Sequence, residues 1–182
     1  MRISVVLIFA LLFSINNSFA QKYMTKNGHI RFFSSTPLEN IEAHNRQVNS
    51  ALDVSSGDFV FKVLIKSFEF EKALMQEHFN ENYMESDKFP NASFNGKVTN
   101  ISSITLTKDG TYNADVEGKL TIHGVTKDIK EKGTFTVKDG VILGFSKFNV
   151  KVADYEIKIP GAVVNNIAES IEVTVDVKLE KL

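Results

Sequence analysis

The chain has 182 residues, of which 43% are hydrophobic, and its 21 basic and 22 acidic residues give a formal net charge of −1. A balance this close to neutral offers no extended basic surface for nucleic acid or for an acidic membrane. The chain contains no cysteine. This excludes disulfides, thiolate metal sites, redox chemistry at sulfur and acylation as a bacterial lipoprotein.

The first twenty residues follow the pattern of a secretory signal peptide. A short positive start precedes an apolar stretch from Ile3 to Ile15, and Ser18 and Ala20 place small residues where signal peptidase reads them. The alternative is a membrane anchor, but the stretch is shorter than the roughly 20 residues that a spanning helix needs. We therefore predict cleavage after Ala20, a single domain at residues 21–182, and a periplasmic or secreted protein.

The first half of this domain is predicted to contain strands and one helical segment. Weak or short strand signals occur at 29–34, 40–44 and 48–54. The next strand has one entirely apolar phase, made of Phe59, Phe61, Val63 and Ile65. Residues 71–80 favour a helix by their propensities. A second short turn at 83–88 ends before Pro90, because the residue before a proline leaves the helical region.

The second half alternates between apolar and polar residues almost throughout, which is typical of β-strands with one buried face. Strands are predicted at 92–98, 112–122, 125–137, 141–152 and 171–179. Asp109-Gly110 and Asp139-Gly140 are both hairpin signals. In the strand that follows the second signal, the apolar phase begins with Val141, Leu143 and Phe145.

Eight or nine strands joined mostly by tight turns predict an all-β, antiparallel domain. We favour a closed or nearly closed barrel over a sandwich, because a long antiparallel sheet must protect its edges. An eight-stranded barrel has an interior that side chains can fill or that can hold one small ligand. The alternation alone does not choose between these two interiors.

Catalytic and metal-binding patterns are nearly absent from the sequence. The four histidines, His29, His44, His78 and His123, lack the spacing of a helical metal site, although distant histidines could still form one. The carboxylates fall on the polar phases of strands, which predicts a solvated outer surface rather than paired acid–base groups. An enzyme would need titratable groups that point inward, and only Lys62 or His44 would do so if the register slipped by one residue.

Two segments carry recognisable motifs. Residues 75–94 contain Ser86-Asp87-Lys88-Phe89-Pro90 between a short helix and a new strand, and residues 116–127 contain Leu120-Thr121-Ile122-His123-Gly124-Val125-Thr126-Lys127. Both segments resemble the YceI-like family. We expect the resemblance to extend over the whole of residues 21–182, although this chain lacks the tryptophan that the family commonly carries in its opening strand. His123 and Gly124 match the family motif, and we interpret them as turn residues.

This resemblance implies an antiparallel eight-stranded lipocalin-like barrel with one or two short helices inserted mid-chain, and an apolar lumen that holds an isoprenoid or other lipid chain. Alternation within the strands predicts the lining of that lumen as Phe59, Phe61, Val63, Phe94, Val98, Phe135 and Phe145. We therefore predict an extracytoplasmic binding protein, not an enzyme, that sequesters or carries a long hydrophobic chain without a metal or cofactor. Transient membrane contact and a dimer are compatible with this function. The alternative is a filled barrel that acts as an interaction module and binds no lipid.

Overall fold

A computed structural model describes residues 21–182, and the predicted signal peptide with its cleavage site lies outside this range. The described part of the chain forms nine strands: β1 Lys22–Ser35, β2 Asn40–Asp53, β3 Asp58–Leu64, β4 Glu69–Phe70, β5 Asn91–Val98, β6 Gly110–Ile122, β7 Val125–Lys138, β8 Val141–Lys151 and β9 Ser170–Lys181. The one α-helix, α1, spans Ala73–His78 and continues into a single π-helical turn at Phe79–Tyr83. Within this range, no helix is both long enough and apolar enough to cross a membrane.

Eight of the strands close into an antiparallel barrel. Their order around the barrel is β1-β9-β8-β7-β6-β5-β3-β2, and β2 pairs with β1 to complete the circle. The two-residue strand β4 lies outside this circle and pairs with β2 at Ala43–Phe70. The predicted fold class is confirmed: closure satisfies the main-chain groups that an open sheet would leave at its two edges.

The first two strands are longer than the sequence predicts. The separate candidates at 40–44 and 48–54 are one continuous strand, β2, and β1 begins seven residues before the predicted start at residue 29. Gly28 interrupts the pairing of β1 with β2, because the register shifts on both sides of it. Polar residues and this irregularity hide the alternation on which the sequence prediction depends.

Only one of the two Asp-Gly signals forms a hairpin. Asp139 and Gly140 have φ angles of 51° and 78° and connect β7 directly to β8. Asp109-Gly110 instead ends a long connection, residues 99–109, that joins β5 to β6. This connection contributes Ile104 and Leu106 to the core, so it covers one end of the barrel where a tight turn would leave the end open.

One half of the barrel interior is packed solid, and we call it the packed end. Its centre contains Leu52, Ile142 and Leu179, which are fully buried. The surrounding members of this cluster are Tyr23, Phe59, Val98, Ile104, Leu106, Ala114, Phe135, Val137 and Val177. Burial of this many apolar side chains supplies the main driving force for folding in a chain without disulfides.

Candidate functional site

The other half of the barrel is hollow. A cavity of about 580 Å³ extends from the packed end to the opposite mouth of the barrel, and its wall is overwhelmingly apolar. The wall is formed by the inward phases of the strands, as in β9, which contributes Ile171, Val173, Val175 and Val177. The predicted period of two therefore produces this surface directly, because alternate residues of a strand face the same side of a sheet.

Phenylalanine rings form much of the remaining wall in two groups. On β3, the rings of Phe59 and Phe61 lie 4.7 Å apart, and Phe61 lies 6.3 Å from Phe94 on β5. The second group lies under the segment between β3 and β5, with neighbouring centroids between 5.0 and 5.6 Å apart, and consists of Phe32, Phe68, Phe70 and Phe79. Tilted and edge-to-face arrangements of this kind hold the rings in fixed positions.

The structure brings together most of the residues predicted to line the lumen. Phe59, Phe61, Val63 and Phe94 border the cavity. Val98 and Phe135 share the inward phase, but they lie in the packed end, among residues that fill the interior. They support the floor of the cavity and are not part of its wall. Direct contact of these side chains with a ligand stays a prediction.

Phe145 is among the residues that border the cavity, but its side chain lies on the outward phase of β8. The inward phase of this strand contains Gly144 and Ser146: a Cβ added to Gly144 would meet the side chains of Phe135 and Val177. Phe145 pairs with Asp176 on the outer face, and 47% of its surface is exposed. The sequence prediction follows the more apolar phase of this strand, whereas the cavity is created by small residues on the other phase.

Two segments cover the mouth, and we call them together the cap: residues 65–90, which include α1, and residues 152–169. Glu39, in the turn between β1 and β2, joins both of them. Its carboxylate accepts a hydrogen bond from Asn166 Nδ2 at 3.1 Å, and its other oxygen lies 3.6 Å from Lys72 Nζ. The cap is thus attached to the barrel by these polar contacts, by the pairing of β4 with β2 and by the packing of its phenylalanine rings on Phe32.

His123 connects the barrel to both segments of the cap. With Gly124 it forms the predicted turn between β6 and β7, at φ angles of 51° and 76°. Its Nε2 lies 2.8 Å from Glu85 Oε2 and its Nδ1 lies 3.2 Å from the Tyr155 carbonyl oxygen. Both partners are acceptors, so the ring donates to both only when it carries two protons. The two segments that resemble the YceI-like family therefore contact each other here.

Glu131 is an inward-facing titratable group that the sequence analysis missed. It lies on β7 in the same phase as Ile129 and Phe135, and it borders the cavity. Within residues 21–182 no salt bridge or side-chain hydrogen bond involves its carboxylate. Burial raises the pKa of Glu131 above its usual value, because a low-dielectric environment disfavours the charged form. Lys62, one of the two groups considered beforehand, lies exposed on the outer face.

His44, the second of these groups, also lies on the outer face of the barrel. It stacks on His29, with ring centroids 5.2 Å apart, and its Nε2 lies 2.9 Å from Glu42 Oε1. No group of three or more His, Cys, Asp or Glu side chains in the described range is arranged to hold a metal ion. A metal site built from distant histidines gains no support from this arrangement.

The raised pKa of Glu131 predicts a pH-dependent stability effect. Because the pKa of Glu131 is raised in the folded state, burial of its charged form destabilises the folded protein. This destabilisation is absent below the unfolded-state pKa, where the carboxyl group is protonated in both states. It is fully present once the pH exceeds the folded-state pKa. We expect E131Q to have a higher Tm than the wild type at pH 7, with a difference that disappears near pH 4. Thermal unfolding measured across this range checks it. E69Q, on the exposed strand β4, serves as the control, and equal shifts in both variants would contradict the assignment.

A closed eight-stranded antiparallel barrel defines the class of fold. Solved structures that are similar to this chain in fold include the following three. A polyisoprenoid-binding domain from Saccharophagus degradans, described as implicated in plant cell wall breakdown, aligns with a TM-score of 0.77 at 16% identity, covering 90% of this chain and 99% of that one. BcnA of Burkholderia cenocepacia aligns with a TM-score of 0.65 at 12% identity, covering 84% of this chain and 95% of that one. The Campylobacter jejuni YCEI protein aligns with a TM-score of 0.57 at 18% identity, covering 76% of this chain and 82% of that one.

A sequence model of the YceI-like domain matches residues 18–179, which is nearly the whole chain. The chain therefore belongs to the YceI-like family, as the two motifs indicate. No curated protein matches the chain at a significant level.

Proposed function

We propose that this protein binds the apolar chain of a lipid, such as an isoprenoid, inside the barrel and carries or sequesters it outside the cytoplasm. The observation that carries the proposal is the cavity of about 580 Å³ with its apolar wall. The structural similarity to a domain described as polyisoprenoid-binding supports it, and the signal-peptide pattern at residues 1–20 supports the location. The alternative, a filled barrel that acts as an interaction module, predicts an interior packed with side chains and does not account for a cavity of this size.

The cavity volume limits how much of a chain can be enclosed. A 150 Å³ protein cavity accommodates benzene, so each heavy atom needs about 25 Å³ and the cavity holds roughly twenty carbons. The chain would come from a membrane, where it is already in apolar surroundings. The barrel then needs only to match the bilayer and offset the entropy of ordering the chain. We infer weak selectivity along the chain, with exchange limited by its extraction from the membrane.

Transient contact with a membrane is part of this proposal. Leu38, Leu74 and Val164 are exposed apolar side chains, and each belongs to a different segment near the mouth: the turn between β1 and β2, helix α1 and the second segment of the cap. Such a rim would let the mouth touch an acyl surface while the charged outer wall stays in water.

Chain length provides the test. We expect a delipidated protein to bind linear alcohols with an affinity that rises from ten to about twenty carbons and then levels off, because further carbons remain outside the cavity. Native mass spectrometry of the titrated protein measures this, and a freshly purified sample should carry a bound lipid. No lipid under any gentle extraction, together with no binding of any alcohol, would refute the proposed function.

The outer position of Phe145 predicts that its ring does not contribute to binding. We expect Phe145→Ala to leave the affinity for a sixteen-carbon alcohol unchanged, whereas Phe61→Ala changes it because the ring of Phe61 lies on the inward phase of β3 and the ring of Phe145 lies on the outward phase of β8. The same titration measures both variants, and the unfolding midpoint of each shows whether it remains folded. A loss of affinity in Phe145→Ala alone would mean that its ring reaches the ligand.

A further inference from the structure

The barrel wall has a gap between β7 and β8. The two strands pair only from Gly133–Ser146 to Lys138–Val141. By contrast, β6 and β7 pair without interruption to the turn at Ile122–Val125. Residues 125–132 of β7 and 147–151 of β8 therefore face each other without hydrogen bonds between them, and the sheet is open along this side near the cap.

A cleft of about 360 Å³ occupies the gap. It is lined from both strands and from Asp154 and Tyr155 in the cap. It shares several wall residues with the main cavity: Leu120, Ile129, Glu131, Phe148 and Val150. Shared walls make the two spaces neighbours, and the cleft offers a lateral route between the apolar interior and water.

Two polar groups at this junction lack partners within the described residues. The carboxylate of Glu131 makes no side-chain hydrogen bond or salt bridge there. Tyr155 is 4% exposed, and its hydroxyl makes no hydrogen bond but is not fully enclosed either. Burial, followed by the charges of Asp154 and Glu131, raises the pKa of the Tyr155 phenol. Both side chains border the same cleft, which places the two groups at one junction.

The chemistry of these two groups selects a hydroxyl. A carboxylate only accepts hydrogen bonds, and a phenol can donate one, whereas an alcohol oxygen can donate to the first and accept from the second. A hydrogen bond from a hydroxyl to the Glu131 carboxylate is charge-assisted, and such bonds are stronger than those between neutral groups. A carboxylate or phosphate head would meet the negative charges of Glu131 and Asp154, although Lys127 and Lys151 also border the cleft.

We propose that the cleft between β7 and β8 binds the hydroxyl head group of the lipid, with Glu131 accepting a hydrogen bond from it and Tyr155 donating one to it. The apolar chain of the same molecule extends into the main cavity, so this inference rests on the proposed function. Glu131 and Tyr155 then determine which head groups the barrel accepts, while the cavity determines how much chain it encloses.

Three sixteen-carbon probes separate recognition of the head group from binding of the apolar chain: hexadecane, 1-hexadecanol and hexadecanoate. Each probe is added to the delipidated protein as a cyclodextrin complex. Native mass spectrometry under competition gives their relative affinities. We expect wild-type protein to prefer the alcohol over the alkane by about tenfold, the size of one charge-assisted hydrogen bond. E131L should lose this preference and retain alkane binding, and Y155F should weaken it.

Glu117→Leu is the matched control, because it makes the same change on the outer face of β6, where Glu117 pairs with Lys130. The proposed head-group site is wrong if E131L and Y155F both leave the preference for the alcohol intact, or if the control variant removes it equally. Binding of the apolar chain in the main cavity is unaffected by either result. Tighter binding of hexadecanoate than of the alcohol assigns the cleft to an anionic head held by the lysines and also overturns it. If the wild type binds none of the three probes, the proposed function itself fails.

Discussion

Replacing Val175 with tryptophan is expected to weaken binding of a sixteen-carbon chain more than about a hundredfold while leaving the barrel folded. Val175 is on the inward phase of β9, borders the cavity, and lies against the edge of the packed end. Its partner on β8 is the small residue Ser146, and the next strand carries Gly133 opposite Ser146. An indole at this position therefore has room to lie across the middle of the cavity.

The expected loss follows from the apolar contacts that the indole displaces. If it excludes four methylenes at about 0.8 kcal/mol each, the affinity falls by about 3 kcal/mol, which is a factor of more than about one hundred. A well-packed core would respond to such an insertion by losing stability, but here the added volume enters empty space. Titration with hexadecane and 1-hexadecanol measures the loss, and thermal unfolding measures the stability.

Asp176→Trp provides the control, because the same residue is introduced one position along the same strand on the exposed outer face. We expect its affinity to equal that of the wild type. Unchanged binding in V175W would show that the ligand does not occupy the cavity, and equal losses in both variants would point to a general disturbance of β9.

Truncation of Leu179 is expected to have the largest effect on stability. Leu179 is 0% exposed and pairs with Ile142, also buried, at the centre of the packed end. Leu179→Ala should lower the free energy of unfolding by about 2–5 kcal/mol, because it removes buried methyl groups and leaves a void among side chains that cannot close it. Urea unfolding followed by circular dichroism measures the change.

Leu143→Ala is the matched control on the neighbouring strand, where the leucine is 41% exposed on the outer face. A change within about 0.5 kcal/mol is expected there. Because Leu179 does not border the cavity, the folded fraction of Leu179→Ala should bind lipid chains as the wild type does. Similar destabilisation in both variants would mean that the packed end contributes no more to the free energy of unfolding than the outer face does.

Sequence alternation predicts the strands wherever the inward phase is apolar. The phases of β3 and β9 are clear for this reason: Phe59, Phe61 and Val63 point inward on β3, and on β9 the inward residues are Val173, Val175, Val177 and Leu179. The two motifs at residues 75–94 and 116–127 led to the family, which the match over residues 18–179 confirms.

Alternation does not identify the inward phase where the interior is formed by small or polar residues. On β8 the inward positions include Gly144 and Ser146, so the outward residues Leu143 and Phe145 form the more apolar phase. The inward position of Glu131 was predictable from the sequence, since Glu131 lies two residues after Ile129 and four before Phe135 on the same face of β7. A charged residue on an apolar face is, however, easily assigned to the surface. The cavity itself was not predictable from alternation, because packed and hollow interiors share one pattern.

The gap between β7 and β8 also affects how the protein behaves at high concentration. Two stretches of strand with unpaired main-chain groups can recruit a strand from another molecule and begin a fibre. Here these stretches carry Lys127, Asp128, Lys130 and Lys132 on one side and Lys147 and Lys151 on the other. Burying charged side chains against an incoming strand is costly, so these lysines protect the unpaired stretches from aggregation.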